Sequence, residues 1–307
     1  MWLNQIQIFE IDHLIKDIHQ LREKLAALAF HPCLPSLPFS AGWVSPVDEE
    51  GAPLVHGNND YQMICLQFEE KVLPATIVRQ AVQDRTKEIE HTQQRKISGR
   101  EKLSLREDLT QTLLTQAFCK RSRVYAYFDI KNNWLILGTS NALKTEKFLT
   151  LINKSLPELE LSRMEAKGVS GVFTRWLTQQ SYPPSFAINQ TCVLIDPSLR
   201  TRTVRTRQQD LFAKGVQLLL KDGLEVHQIG LTWNNQVDFV LGSDLVFQSI
   251  KCHDELLEES KDNYAESEAA RFDADFILMT RLFSGLITEI VGLFEKSHHH
   301  IEEAISA

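Results

Sequence analysis

Apolar and polar positions divide the 307-residue chain into alternating strand-like and helix-like stretches. Residues 2–9 (WLNQIQIF) alternate at the two-residue period of a half-buried strand. Residues 12–29 place Leu14, Ile18, Leu21, Leu25 and Leu28 at the spacing of one helix face, with Asp12 as the expected N-cap. Residues 32–60 are rich in Pro, Gly, Asn and Ser and read as irregular. Residues 61–68 form the next expected strand. Residues 124–130 and 134–139 flank Lys131-Asn132-Asn133 and read as a hairpin. Asn141 is placed to cap a helix that runs to residue 151.

Between those strands lies an insertion with helical spacing. Pro74 suits a first helical turn, and Ile77, Val78, Ala81 and Val82 give the helix an apolar stripe to about residue 94. Arg95-Lys96-Ile97-Ser98-Gly99-Arg100 is a basic turn. Ser98 and Glu101 have capping-box spacing and open a second helix carrying Leu105, Leu109 and Leu113. Residues 74–116 therefore read as a helical hairpin with a cationic tip, projecting from a sheet.

The second half repeats the mixed pattern. Residues 171–179 read as helix and 192–195 as extended. Residues 203–207 alternate as Thr, Val, Arg, Thr, Arg, a strand with one cationic face. A helix over 211–221 ends at Gly223. Strands follow at 224–233, 236–241 and 245–250, with Trp233-Asn234-Asn235-Gln236 as a turn. The acidic stretch 258–268 reads as a linker or helix end. Residues 272–293 form a helix with Phe276, Met279, Leu282, Phe283, Leu286, Ile290 and Leu293 inward. The expected class is α+β, with mixed or antiparallel sheets, a projecting helical hairpin and a long C-terminal helix. Three parts are expected: a central α/β part (residues 1–73 and 117–165), the hairpin (74–116), and a second α/β part (166–307).

Composition is that of an ordinary globular protein, with 43% hydrophobic and 24% charged residues. The net charge of -7 argues at first against nucleic acid. Its distribution reverses that inference. Residues 71–131 hold 13 basic and 7 acidic residues, and residues 200–221 hold 6 basic and 1 acidic. Residues 252–307 hold 4 basic and 13 acidic. Two cationic segments are set in an acidic body.

The chemistry-bearing residues suggest no catalyst. The five cysteines are scattered without a C-x-x-C, so neither a zinc site nor a disulfide framework is expected. Most should be small buried apolar residues in a reducing cytoplasm. No secretory leader or membrane span is expected. No phosphate-binding loop, nucleophile elbow or zinc-protease motif occurs. His298-His299-His300 reads as a solvated terminus. Asp273 and Asp275, two apart on a helix, point to different faces and read as N-terminal charge compensation. No enzyme activity, metal, cofactor or small-molecule substrate is expected.

A cationic run is ordinarily a solvated face, but two of them on an acidic chain suit a phosphate backbone. The candidate DNA contacts are Arg79, Arg95, Lys96, Arg100, Lys102, Lys120, Arg121, Arg205, Arg207, Gln208 and Gln209. Arg123, Arg200 and Arg202 belong to the same clusters. The clusters lack interleaved aromatics, which disfavours a single-strand stacking platform. Phe118, after the second hairpin helix, reads either as a core residue or as the anchor of an interface.

Several short runs together resemble the recombination-associated protein RdgC family. They are Phe30-x-Pro32-Cys33, Gly42-Trp43-Val44-x-Pro46, Glu69-Glu70-Lys71-Val72-Leu73-Pro74, Ala117-Phe118, Thr174-Arg175-Trp176-Leu177, Gln209-Asp210-Leu211 and the run from Ala270 to Thr280. The resemblance implies a non-enzymatic protein that binds duplex DNA with little sequence preference. It implies a horseshoe-like protomer, a ring-shaped homodimer with DNA through a cationic hole, and restraint of the recombinase RecA. Recombination, replication-fork maintenance and a cytoplasmic, nucleoid-associated location are implied with it. So are a ring-closing role for Phe118 and a DNA-binding role for Gln208 and Gln209. At Gln208 the family more often carries a basic residue, and Arg205 and Arg207 are placed to supply that charge. At Arg281 the family often has Gly. Two other readings compete: a protein-interaction adaptor using the acidic C-terminal region and the basic hairpin, and a DNA-processing nuclease.

Overall fold

The computed structural model describes residues 2–12, 18–49, 51–58, 60–199, 201–253 and 268–305, with side chains described as far as Phe294. The first sheet contains β1 (Gln7–Asp12), β2 (Phe39–Val44), β3 (Val55–Gly57), β4 (Tyr61–Lys71), β5 (Cys119–Asp129), β6 (Trp134–Leu137) and β7 (Glu160–Arg163). Its order is β2-β4-β5-β6-β1-β7, with β3 also on β4, and every pairing is antiparallel. The two longest strands, β4 and β5, pair without a register break from Tyr61↔Asp129 to Lys71↔Cys119.

Alternation along β5 directs side chains to two different cores. Val124, Ala126 and Phe128 face one side, where they pack with Leu21 and Leu25 of α1 (Ile18–Ala26). Phe148 and Ile152 of α4 (Ala142–Ser155) complete that layer. Trp43 lies between them, its Nε1 donating to Ser155 Oγ at 2.8 Å. Tyr127 points to the opposite face, into the larger core.

The second sheet is also antiparallel, in the order β12-β11-β10-β8-β9. Its strands are β8 (Phe186–Ile195), β9 (Thr203–Arg207), β10 (Glu225–Trp233), β11 (Val237–Gly242) and β12 (Phe247–Cys252). Two backbone hydrogen bonds between Ile6 and Phe247, each 3.0 Å, join the two sheets. Helices α5 (Val169–Gln179) and α6 (Lys214–Lys221) pack into the same core as this sheet.

The last helix, α7 (Glu268–Ile305), supplies the centre of the larger core. Its length and composition alone would suit a membrane span. Phe276, Met279, Phe283, Leu286, Ile287 and Ile290 are instead buried against both sheets. Glu289 pins it to the second sheet by accepting from Trp233 Nε1 at 2.6 Å and from the Ser185 hydroxyl.

The fold is α+β as expected, but several boundaries differ. β1 begins at Gln7 rather than residue 2, because ladder bonds to β6 and β7 hold Gln7–Asp12 extended. Asp12 is thus the last residue of a strand and not a helix cap. Leu14 lies outside the described residues. The stretch read as irregular contains β2 and β3, both recruited by β4. Gly42 makes this possible: a Cβ there would stand 2.3 Å from Phe30 Cα. That close approach lets Trp43 exchange backbone bonds with Leu28 and Phe30 at 3.0 and 2.9 Å. β8 begins at Phe186 rather than residue 192, and α6 starts at Lys214 rather than 211, because Asp210 first turns the chain by accepting from Phe212 N.

Other local signals are met. Asn141 Oδ1 caps α4 by accepting from Lys144 N at 3.0 Å. Asn234 and Asn235 both have positive φ (48° and 55°), as a tight β10–β11 turn requires. α7 begins at Glu268, so Asp273 sits in its second turn rather than at its N-terminus. There it meets His56 Nε2 of β3 at 2.7 Å. His298-His299-His300 lie in α7 beyond the last described side chain, and most of the 258–268 stretch falls outside what is described.

Candidate nucleic-acid interface

The helical hairpin consists of α2 (Ala75–Gln93) and α3 (Gly99–Gln116), inserted between β4 and β5. Gln94 ends α2 in the left-handed region (φ 50°). Ser98 then opens α3 with a complete capping box: its side chain accepts from Glu101 N, and Glu101 reaches back to Ser98 N at 2.9 Å. The turn is anchored where Ile97 N donates to Glu90 Oε1 at 3.0 Å and the Ile97 side chain is buried.

The hairpin buries few apolar residues of its own. Val78, Ile97 and Leu114 are buried, whereas Ile77 and Leu103 remain 49% and 57% exposed. The α2 stripe expected to lie inward is therefore only partly covered, since two helices cannot enclose each other's flanks. Phe118 is 87% exposed, which excludes the reading of it as a core residue within the protomer. Its carbonyl accepts from Val72 N at 2.8 Å, and Val72 is itself exposed, so apolar surface clusters at the hairpin's root.

The candidate cations fall into two chemical groups. Arg95 is held by Glu101 through two bonds, of 3.1 and 2.7 Å. This pairing, followed by the Ser98 contacts, holds the Glu101 carboxyl down at about 2. Arg121 Nε donates to Glu69 Oε1 at 2.8 Å, and Arg123 pairs with Asp48 at 3.1 Å. Arg202 meets Asp196 at 3.4 Å. Arg79, Lys96, Arg100, Lys102, Lys120, Arg205 and Arg207 make no ion pair among the described residues. Counting charges along the chain thus overstated the free positive charge of both segments.

Arg79 and Lys102 come together across a groove of about 350 Å³ between α2 and α3. Arg106 joins them, and Val82 and Leu103 supply apolar lining. Arg106 was missed from the sequence, although its i, i+4 spacing from Lys102 puts both on one helix face.

The second cluster lies on β9, an edge strand of the second sheet. Val204 and Thr206 turn inward, Thr206 Oγ1 against the Cys192 amide at 3.2 Å, while Arg205 and Arg207 are exposed. Both arginines share the outer face, as the alternation requires. Gln208 follows with φ 53°, turning the chain off the edge, and both it and Gln209 are exposed. Gln209 N donates to Gln190 O at 3.3 Å, so the pair is held against β8. Arg200 lies outside the described residues. Lys120, on β5, stands opposite Glu70 in the ladder. The hairpin is inserted between two strands of the first sheet, whereas the edge strand β9 belongs to the second.

Residues 1–297 match the family model described as "Putative exonuclease, RdgC". The chain belongs to the RdgC family. The recombination-associated protein RdgC of Halorhodospira halophila is 31% identical over 96% of this chain and 98% of its own length. That of Proteus mirabilis is 31% identical over 95% and 97%. That of Aeromonas hydrophila is 32% identical over 91% and 93%. The RdgC match spans both sheets, the hairpin and most of α7, so the site lies within the whole family unit. The relatives' name connects RdgC proteins with recombination, whereas the family model's description names a nuclease. Among the described residues no group of three or more His, Cys, Asp and Glu side chains is arranged to hold a metal ion.

Proposed function

We propose that this RdgC-family protein binds duplex DNA without reading its sequence, as a ring-shaped homodimer of horseshoe-like protomers, and performs no catalysis itself. By occupying DNA it restrains access of the RecA recombinase during recombination and replication-fork maintenance. Its place is the cytoplasm, on the nucleoid.

One observation carries this reading: exposed arginines and lysines that make no ion pair among the described residues sit on the hairpin and on β9 of a chain whose net charge is -7. Such groups neutralise phosphates and release counterions, which gives affinity with little base preference. Arg205 and Arg207 on one strand face suit successive phosphates, with Gln208 and Gln209 beside them as uncharged hydrogen-bonding groups. The acidic remainder lies away from the DNA and repels it from other faces. Phe118, Val72 and Ile77 supply exposed apolar surface of the kind that closes an interface between protomers.

The test is the mass in solution with and without a duplex of arbitrary sequence. The proposal expects a dimer in both cases and one dimer bound per short duplex. A monomer, or a dimer that ignores DNA at micromolar concentration, contradicts it. The latter result would favour a protein adaptor built on the acidic C-terminal region and the basic hairpin. Adding a divalent cation to the same mixture tests the nuclease reading, and shortening of the duplex overturns the non-enzymatic proposal.

A further inference from the structure

We propose that Cys33 and Cys119 form an oxidisable thiol pair that closes to a disulfide at the root of the hairpin. The two residues are 86 positions apart, yet two short bridges bring their backbones together. In the first, Cys33 N donates to Glu69 Oε2 at 2.5 Å, and Glu69 Oε1 accepts from Arg121 Nε at 2.8 Å. In the second, Cys33 Sγ donates to Leu37 O at 2.9 Å, and the next carbonyl, Pro38 O, accepts from Lys71 N at 2.9 Å. Lys71 is the direct cross-strand partner of Cys119, and Glu69 that of Arg121. Glu69, Lys71, Cys119 and Arg121 therefore share one face of the ladder, and Cys33 lies on that face. Cys119 is exposed and Cys33 half-buried, while Cys65 and Cys192 are enclosed. The charge of a Cys119 thiolate adds to burial in raising the Cys33 thiol, consistent with neighbouring sulfurs.

The chemistry needs an oxidant of the peroxide class. The exposed Cys119 thiol gives up its proton, its sulfur attacks one peroxide oxygen, and the O–O bond breaks to give a sulfenic acid and a hydroxide that takes up that proton as one water. Cys33 gives up its hydrogen bond to Leu37 O, loses its proton and attacks the Cys119 sulfur. The S–O bond breaks, hydroxide takes that proton, and a second water leaves. Two thiols are oxidised by two electrons and one peroxide is reduced.

Cys119 directly follows Phe118, so the cross-link ties the strand beneath that ring to the loop at residues 33–38. In that loop Leu34 and Leu37 are also exposed. The regulatory consequence, an altered protomer contact at Phe118, rests on the dimer proposed above.

The experiment treats the full-length protein with hydrogen peroxide, alkylates remaining thiols and reads tryptic peptides by mass spectrometry. The expected product is one cross-linked peptide pair joining Cys33 to Cys119 within a chain, two hydrogens lighter than its reduced parts. It is absent from Cys33→Ser and Cys119→Ser proteins. Over-oxidised Cys119 beside an alkylated Cys33, or a Cys119–Cys119 link between copies, overturns the pair. Sedimentation of oxidised and reduced protein reads the consequence separately. The intramolecular cross-link with an unchanged dimer dissociation constant overturns the regulation and leaves the thiol pair standing. A reduced protein that is monomeric throughout contradicts the dimer and not the pair.

Discussion

Arg121 faces Glu69 across the β4–β5 ladder, and its Nε donates to Glu69 Oε1 at 2.8 Å. The Glu69 side chain is only 3% exposed, and its other oxygen accepts from the Cys33 amide. Glu69 thus joins the loop before β2 to the root of the hairpin and neutralises one of the candidate DNA contacts. Its carboxyl is held below the usual carboxylate range, first by the Cys33 amide and then by Arg121.

That pairing separates the candidate cations by expected effect. Arg121→Ala should cost less duplex affinity than the loss of a β9 arginine, because the Arg121 guanidinium is held by Glu69 and is not free to meet a phosphate. The double substitution Arg205→Ala and Arg207→Ala should reduce the salt slope by about two, one for each phosphate no longer neutralised. Binding isotherms at several salt concentrations measure both. Equal losses from Arg121→Ala and from either β9 arginine would contradict the distinction.

Removing the junction residue itself should cost stability. Glu69→Ala leaves the Cys33 amide without its acceptor and should destabilise the protein by about 1–2 kcal/mol. The readout is the urea midpoint at constant m-value. An unchanged midpoint would show that the loop before β2 is held by its other bonds alone.

Acid should loosen the hairpin turn. Glu101 titrates near 2 in the folded protein, against an ordinary value of 4.5. A carboxylate with a lowered folded value stabilises above its unfolded value, and that contribution is lost as pH falls through the folded one. The window is therefore about pH 4.5 down to about 2. NMR titration of Glu101 should show a midpoint near 2, moving back toward the ordinary range in Arg95→Ala. Both groups are exposed, so raised salt should weaken the shift. A normal midpoint in the unsubstituted protein would contradict the bidentate pairing.

Elements with strong local signals were legible from the sequence. The Ser98–Glu101 capping box, the Asn141 cap, the Asn234-Asn235 turn and the 203–207 alternation are all found. Each depends on residues adjacent in sequence. What failed depends on distant partners. β2 carries a weak alternation and becomes a strand because β4 pairs with it and Gly42 admits the Phe30 backbone. At the candidate site, Arg205 and Arg207 were placed correctly on one exposed face. Residue type could not show that Arg95, Arg121 and Arg123 are already paired. For the last two, Glu69 and Asp48 lie more than fifty positions away along the chain. Phe118 stood between two readings because an aromatic at a helix end suits a core as well as an interface, and only its exposure decides against the core.

Phe118→Ala should weaken the proposed dimer without unfolding the protomer. An aromatic anchor in an interface contributes about 2 kcal/mol, roughly 30-fold in the dissociation constant. Its 87% exposure predicts a change in protomer stability of no more than about 0.5 kcal/mol. Sedimentation equilibrium reads the first and circular dichroism under denaturant the second. An unfolded variant, or an unchanged dimer, would contradict the role.

The central claim is a phosphate-directed, sequence-independent grip on duplex DNA. It is tested most directly by the affinity for several unrelated duplexes of equal length as salt is raised. The predicted result is one common line of log K against log salt, with a slope of about -5 or steeper from six or more phosphate contacts. A flat dependence, or affinities that differ widely among the sequences, would contradict it.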